Sequence, residues 1–281
     1  MTICFTRHSS PVTRLTLNEK NMLAKDIALI IEELAPLKYQ EGYDNAGFCV
    51  GLPSSEVKGV LLCVDVTEEI IDEAIALGAN MIISHHPVIF NGLKHITGSN
   101  YVERMVAKAL KHDVLLYSAH TNLDNVPYGV NWMIAQQLRL QDIQILLPQH
   151  VDAQTGAGAV GNLPEPVQVE DWLAALKQQF AIPHLRHNRP PKPKVQRIAV
   201  CGGSGAFLID AAATAGADCL ISADFKYHNF FDADNRLLIV DAGHYETEKC
   251  VLSIFFDLLT KKMPNFAVRI TGKISNPVIY C

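Results

Sequence analysis

The chain has 281 residues, of which 49% are hydrophobic and 19% charged, a globular composition rather than a disordered one. Its net charge of -5 gives no general attraction to phosphate backbones, and Lys and Arg are scattered, so nucleic-acid binding is not expected. No apolar run reaches the about 20 residues needed to span a bilayer, and the seven cysteines form no CxxC pair.

The first stretch, 1–21, carries Arg7, Arg14 and Pro11 without an apolar core and reads as a disordered extension. A helix is predicted from about Met22 to Leu34, where Ile27, Ile30, Ile31 and Leu34 repeat at helical spacing before Pro36. Val57 to Val64 reads as a buried strand, and Thr67 as an N-cap with Glu68 and Glu69 favourably placed against the helix dipole. That helix is predicted to end near Gly78, and Met81 to Ile83 supplies the next strand. Cys63 sits inside such an apolar run and reads as a reduced packing residue in a cytoplasmic protein.

The pattern returns downstream as a strand over Val195 to Cys201, a helix over Ala206 to Ala215 and a strand over Cys219 to Ile221. Setting Cys63 against Cys201 without gaps pairs Ile71 and Asp72 with Ile209 and Asp210, Gly78 with Gly216, and Ile83 and Ser84 with Ile221 and Ser222. This implies an internal duplication: an α/β fold of two related lobes, with mixed, mostly parallel sheets covered by helices and a cleft between the lobes. The expected division is 22–140 for the first lobe, 141–194 for a connecting segment and 195–281 for the second lobe. Within the connector, Gln154 to Asn162 is rich in Gly and Ala, Asp171 to Phe180 is predicted helical, and Arg189 to Lys194 is proline-rich and extended.

Ser84, His85, His86 and Pro87 follow a buried strand, where binding residues of parallel α/β sheets collect. Adjacent histidines either converge through a sharp bend or serve different ions, and a plain packing role is equally open. After the next strand comes His120 with Asp124, and at the matching place in the second half His244 with Glu248. On a helical turn this spacing brings imidazole and carboxylate to one face. Together these residues suggest a site for two divalent ions on His85, His86, Asp124, His244 and Glu248, with zinc, manganese and iron all compatible. His120 is a further ligand or a proton carrier, with His228 the other proton-carrier candidate. Glu246 competes with Glu248. Gly202, Gly203, Ser204 and Gly205 stand at a strand-to-helix junction, where they could bind an anion or simply make a tight turn. Asp224, Lys226 and Tyr227 are expected to face the cleft.

With these motifs in place, the sequence resembles the GTP cyclohydrolase 1 type 2 homologs, or Nif-three-like proteins. The matching stretches are Tyr43 to Gly47, Ser84 to Pro87, His120 to Asp124, Cys201 to Gly205 and Asp241 to Glu248. The resemblance implies a toroidal homohexamer with paired metals facing its interior, held on the same five residues. It also implies metal-assisted hydrolysis of a nucleotide-like small molecule, by name the opening of the GTP imidazole ring. A metal-binding or trafficking assembly protein is the alternative. Tyr43 stands where such proteins often have Trp, a departure expected to affect packing more than chemistry.

Overall fold

The computed structural model describes residues 22–149 and 152–281. The expected extension 1–21 and His150 lie outside the described residues.

The first lobe opens with α1 (Ala24–Leu34), whose Asp26 carboxylate accepts from the Leu23 amide, followed by β1 (Gly47–Val50) and β2 (Val60–Cys63). Then α2 (Glu68–Ala76) starts where Thr67 Oγ1 accepts from Ile70 N at 3.2 Å, the N-cap expected from sequence. After β3 (Met81–Ser84) come α3 (Tyr101–Lys111), β4 (Leu115–Ser118), the short α4 (Thr121–Asp124) and α5 (Val130–Gln137). The second lobe begins with β5 (Gln141–Pro148), β6 (Gly156–Gln168), α6 (Val169–Phe180) and β7 (Arg186–His187). It continues through β8 (Lys194–Ser204), α7 (Ile209–Thr214), β9 (Cys219–Ala223), α8 (Asn229–Asp232), β10 (Leu238–Asp241) and α9 (His244–Glu248). Last are α10 (Val251–Lys262) and β11 (Val268–Ile270).

Two sheets result. The first has five strands in the order β1-β4-β3-β2-β11, the second six in the order β5-β6-β8-β9-β10-β7. In the first sheet β4, β3, β2 and β11 run parallel and only β1 is antiparallel. The second sheet is less parallel than expected, because β5–β6, β6–β8 and β10–β7 are all antiparallel. Its parallel heart, β8-β9-β10, repeats β2-β3-β4. The duplication is visible in the register itself. Leu62 faces Ile83, and Val200 faces Ile221, the same pairs that the gapless alignment equates.

The stretch 141–194 is not a connector. It supplies β5, β6 and β7 to the second sheet, and its Gly/Ala-rich part is β6, an interior strand. Small residues there allow close strand approach: a Cβ on Gly156 would stand 2.1 Å from Leu147 O. The residues after α9 also leave the second lobe. β11 pairs with β2, so the chain ends its regular structure in the first sheet.

Strand alternation explains the layers. Val60, Leu62 and Val64 point into one central core that also takes Ile27 and Ile31 of α1, Ile134 of α5, Ile198 and Val200 of β8, and Phe255 of α10. Leu61, Cys63 and Ile82 point the other way, under Ile70, Ile71 and Ala74 of α2 and Met105 of α3. Ala199, Leu220 and Ile239 are likewise covered by Leu208, Ile209 and Ala212. With both faces buried, the strands read as continuous apolar runs. Cys63, Cys219 and Cys250 are free and buried, and burial pushes the last two thiols up to about 12, as suits packing residues. No helix of the described residues is long and apolar enough to cross a membrane.

Candidate metal centre

The parallel strands of both sheets end at one place. His85 and His86 follow β3, His120 follows β4 and His244 opens α9 just after β10. The bend at the end of β3 makes the adjacent histidines converge. The His85 and His86 amides both reach Val64 O at 3.1 Å, and Ser84 Oγ donates to His86 O at 2.7 Å. The two ring centroids end up 5.0 Å apart, and both lie 5.2 Å from that of His120.

Each ring is oriented through Nδ1. His85 Nδ1 lies 2.9 Å from Ala119 O, His86 Nδ1 2.7 Å from Asp65 Oδ1, His120 Nδ1 2.8 Å from Asp44 Oδ1, and His244 Nδ1 2.7 Å from Asp224 Oδ2. A carbonyl or carboxylate that takes the Nδ1 proton leaves Nε2 as the ligating atom, which is how metal-binding imidazoles are held. His86 Nε2 and His244 Nε2 are 3.2 Å apart, and each lies 3.0 Å from Glu248 Oε2. His85 Nε2 stands 3.6 Å from Asp124 Oδ1 and 3.7 Å from Glu248 Oε1.

Two groups of ligand atoms lie within 4.8 Å of one another, His85/His86/His120 and His86/His244/Glu248. All five expected ligands therefore meet, with His120 beside them. His85 Nε2, Asp124 Oδ1 and Glu248 Oε2 are buried without a hydrogen-bonding partner. Unsatisfied buried acceptors are costly, and a cation among them would satisfy all three. The donor set of imidazoles and carboxylates, with no cysteine, fits a borderline divalent ion.

Electrostatics agree. Burial pushes the Asp124 carboxyl up to about 7, with Glu248 adding and the His120 and His86 rings opposing. Burial also pushes Glu248 up, but His85, His244 and His86 outweigh it and hold its carboxyl well below the usual range. Burial disfavours charge on His86 and His244. Asp65 and Glu248 for the one, Asp224 and Glu248 for the other, overcome this and raise both to about 10.

Several expectations change here. The two His/carboxylate motifs are not quite equivalent. Ser84 faces Ser118 and Ser222 faces Asp241, so His120 corresponds to Gly243, and His244 comes one residue later. His244 and Glu248 then share one face of α9, whereas His120 precedes α4 and turns to Asp44 instead of Asp124. Two amides of the glycine turn are already engaged within the protein. Gly202 N donates to Asn131 Oδ1 at 2.8 Å and Gly203 N to Thr247 Oγ1 at 3.0 Å. Its glycines instead make room for the site: at Gly203, φ is +59° and a Cβ would stand 2.2 Å from Glu248 Oε1. His228 is exposed and packs against Tyr227 and Phe231, away from the cluster, and Lys226 and Tyr227 are exposed with it. Glu246 turns to Asn276 and Tyr280 rather than to the histidines.

The residues that orient the rings were the least visible. Asp44 and Asp65 stand in loops that carry no candidate ligand; Asp44 falls in the Tyr43 to Gly47 stretch that carries the family resemblance, without a role assigned there, and Asp65 is marked only by its place just past the end of β2. Tyr43 does not pack inside; it is 64% exposed and lines a cavity of about 990 Å3 that opens over His86, His120, Asp124, His244 and Glu248.

Fold and site define a two-sheet α/β protein with an imidazole–carboxylate cluster able to hold divalent metal. The chain belongs to the Duf34/NIF3 (NGG1p interacting factor 3) family, whose model matches residues 22–277. It is 33% identical over 230 residues to a Clostridium acetobutylicum protein named GTP cyclohydrolase 1 type 2 homolog, covering 81% of this chain and 86% of that one. A Clostridium perfringens protein of the same name is 35% identical over 232 residues, covering 82% and 88%. Among solved structures, a hypothetical protein of Staphylococcus aureus is similar at a TM-score of 0.85 and 28% identity, covering 92% of this chain and 99% of that one. A Bacillus cereus protein related to NIF3 matches with the same TM-score and coverage at 25% identity.

Proposed function

We propose that this protein is a metal-dependent hydrolase, acting on a nucleotide or related small molecule through two divalent ions held by His85, His86, Asp124, His244 and Glu248, with His120 beside them as a further ligand or a proton carrier. The observation that carries the reading is the convergence of four Nε2 atoms and two carboxylates, three of their buried atoms unsatisfied, on the floor of a large cavity. When bound, such ions supply Lewis acidity and acidify water at neutral pH. The protein's own part is placement. Asp44, Asp65 and Asp224 hold three imidazoles in one tautomer, Ala119 O holds the fourth, and Gly203 lets Glu248 reach between them. Of the two proton-carrier candidates, only His120 lines the cavity.

The relatives' name supplies the first substrate to try. Metal-loaded protein incubated with GTP should release formate and a ring-opened product above an Asp124→Ala control. No product over that control from GTP, other nucleotides, nucleosides or simple phosphoesters would remove the hydrolase reading. A toroidal homohexamer is proposed from the same family resemblance. Large exposed side chains outside the cavity, Tyr128 and Phe231 among them, are available for such contacts, and sedimentation velocity is the test.

A further inference from the structure

We infer that Ser275 is a positioning residue of the metal centre, delivered by a strap of chain, 271–277, that crosses from the first lobe to the second. This role rests on His86 being a metal ligand, as proposed above, and on nothing about the reaction.

His86 Nδ1 is oriented by one oxygen of Asp65, Oδ1, at 2.7 Å. The other oxygen belongs to Ser275, whose Oγ donates to Asp65 Oδ2 at 3.1 Å and accepts from the Asp65 amide at 3.4 Å. The Asp65 side chain is 35% exposed, so water competes for it. A carboxylate anchored through one oxygen swings about its Cβ–Cγ bond. A second bond on the other oxygen fixes its plane, and with it the direction in which His86 Nε2 points. The arrangement recurs at the other two carboxylates that orient a ring. Thr121 Oγ1 donates to Asp44, and Ser204 Oγ donates to Asp224 Oδ2 at 2.5 Å. Thr121 adjoins His120 in sequence and Ser204 ends β8, beside the strand that leads to Asp224. Ser275, by contrast, lies 210 residues from Asp65, so only the fold can bring it there.

The strap is fixed at both ends. At its start the Thr271 amide extends the β11–β2 pairing to Leu62 O at 2.9 Å. Thr271 Oγ1 and Gly272 N then donate to the Glu73 carboxylate of α2, the amide at 2.9 Å. At the far end Asn276 Nδ2 donates to Glu246 Oε1 at 2.8 Å, and Tyr280 Oη to Glu246 Oε2 at 3.3 Å. Glu246 is a buried acid on α9, between His244 and Glu248 in sequence, and this latch occupies both its oxygens. The strap also divides the space around the cluster. Ser275 borders the cavity of about 990 Å3, Asn276 a second one of about 600 Å3, and Pro277 borders both. Asp65, His86 and His244 line both cavities, so the strap is the partition at the very carboxylate it holds.

The test is zinc affinity of the full chain, by competition with a chromophoric chelator, together with the visible spectrum of the cobalt(II)-loaded protein. Ser275→Ala should weaken zinc about three- to tenfold and shift the cobalt bands. The melting temperature of the metal-free chain should stay within about 2 °C. Ser275→Thr, which keeps the hydroxyl, should restore affinity and spectrum. Asp65→Ala should weaken zinc about tenfold or more, and adding Ser275→Ala to it should weaken it no further, because the hydroxyl acts through that carboxylate. Asn276→Ala, which undoes the latch, should weaken zinc in the same direction. Wild-type affinity in Ser275→Ala or Asn276→Ala, no restoration by Ser275→Thr, or additive losses in the double variant would overturn the role of Ser275 and its strap. Full zinc affinity with an unaltered cobalt spectrum in His86→Ala would sink the metal reading itself, and this role with it.

Discussion

His86, at the end of a strand in the first sheet, and His244, just past a strand in the second, bring their Nε2 atoms to 3.2 Å of each other. Neither lobe alone has this pair, and Glu248 Oε2 lies 3.0 Å from both. The seam between the duplicated halves is where the cation would sit, so metal and lobe packing are thermodynamically linked. Chelation should lower the melting temperature, and re-addition of zinc or manganese at about a thousandfold over Kd should restore about 4 kcal/mol. His244→Ala should abolish most of this response in a thermal melt, while His228→Ala should leave it intact. Equal responses in the two variants would refute the assignment.

The carboxylates around His86 and His244 favour their protonated forms when no ion is bound. With His86 and His244 both raised to about 10, ion uptake at pH 7 has to displace up to about two protons per chain. Calorimetry in buffers of different ionisation enthalpy reads that number directly. The sign follows from the raised values. Protonated His86 and His244 stabilise the metal-free fold fully below about pH 6.5. That contribution is lost as pH rises through about 10, while metal affinity climbs over the same window. A pH-independent affinity between 6 and 9 would contradict it.

Asp44 touches no candidate ion directly but accepts from His120 Nδ1, Thr121 N and Thr121 Oγ1. Burial pushes its carboxyl up, yet these partners pull it down to about 2. Its contribution, about 2 kcal/mol, is therefore present above about pH 4 and lost as pH falls toward 2. Asp44→Asn should remove that acid-range slope in urea melts and weaken metal binding about 10- to 100-fold with all ligands in place. Unchanged affinity would mean the ring does not need this carboxylate.

Gly203→Ala and Gly216→Ala make a matched pair, because both glycines have positive φ, +59° and +72°. Only the first would drive a Cβ into Glu248; the second meets nothing within 4 Å. Gly216→Ala should cost about 1 kcal/mol of backbone strain and keep its metal. Gly203→Ala should cost more and lose metal by elemental analysis. Full metal occupancy there would show that Glu248 is not held against this strand.

Much of this was legible beforehand because buried parallel strands write themselves as apolar runs. Val60 to Val64 and its repeat at Ile198 to Cys201 also kept their ladder register across the duplication. The ligand types were legible for the same reason, as they follow strand ends. What escaped was whatever depends on a third dimension. A Gly/Ala-rich stretch looks like a loop until β5 and β8 close on it from either side. The one-residue offset between His120 and His244 shows only once the strands are paired, and it decides why one histidine meets its own helix's carboxylate while the other meets Asp44. Gly202 and Gly203 read as an anion turn because amide availability is a tertiary fact, settled by Asn131 and Thr247.

The return of β11 to the side of β2 also sets an order of events during synthesis. The first sheet lacks its edge partner until residues 268–270 have emerged, and His85 and His86 lack His244 and Glu248 until α9 has. The cluster is thus completed only once α9 has emerged and both lobes can close together. A nascent first lobe carries His85, His86, His120 and Asp124 but lacks His244 and the Glu248 carboxylate that lies 3.0 Å from both His86 and His244, so its ligand set is incomplete.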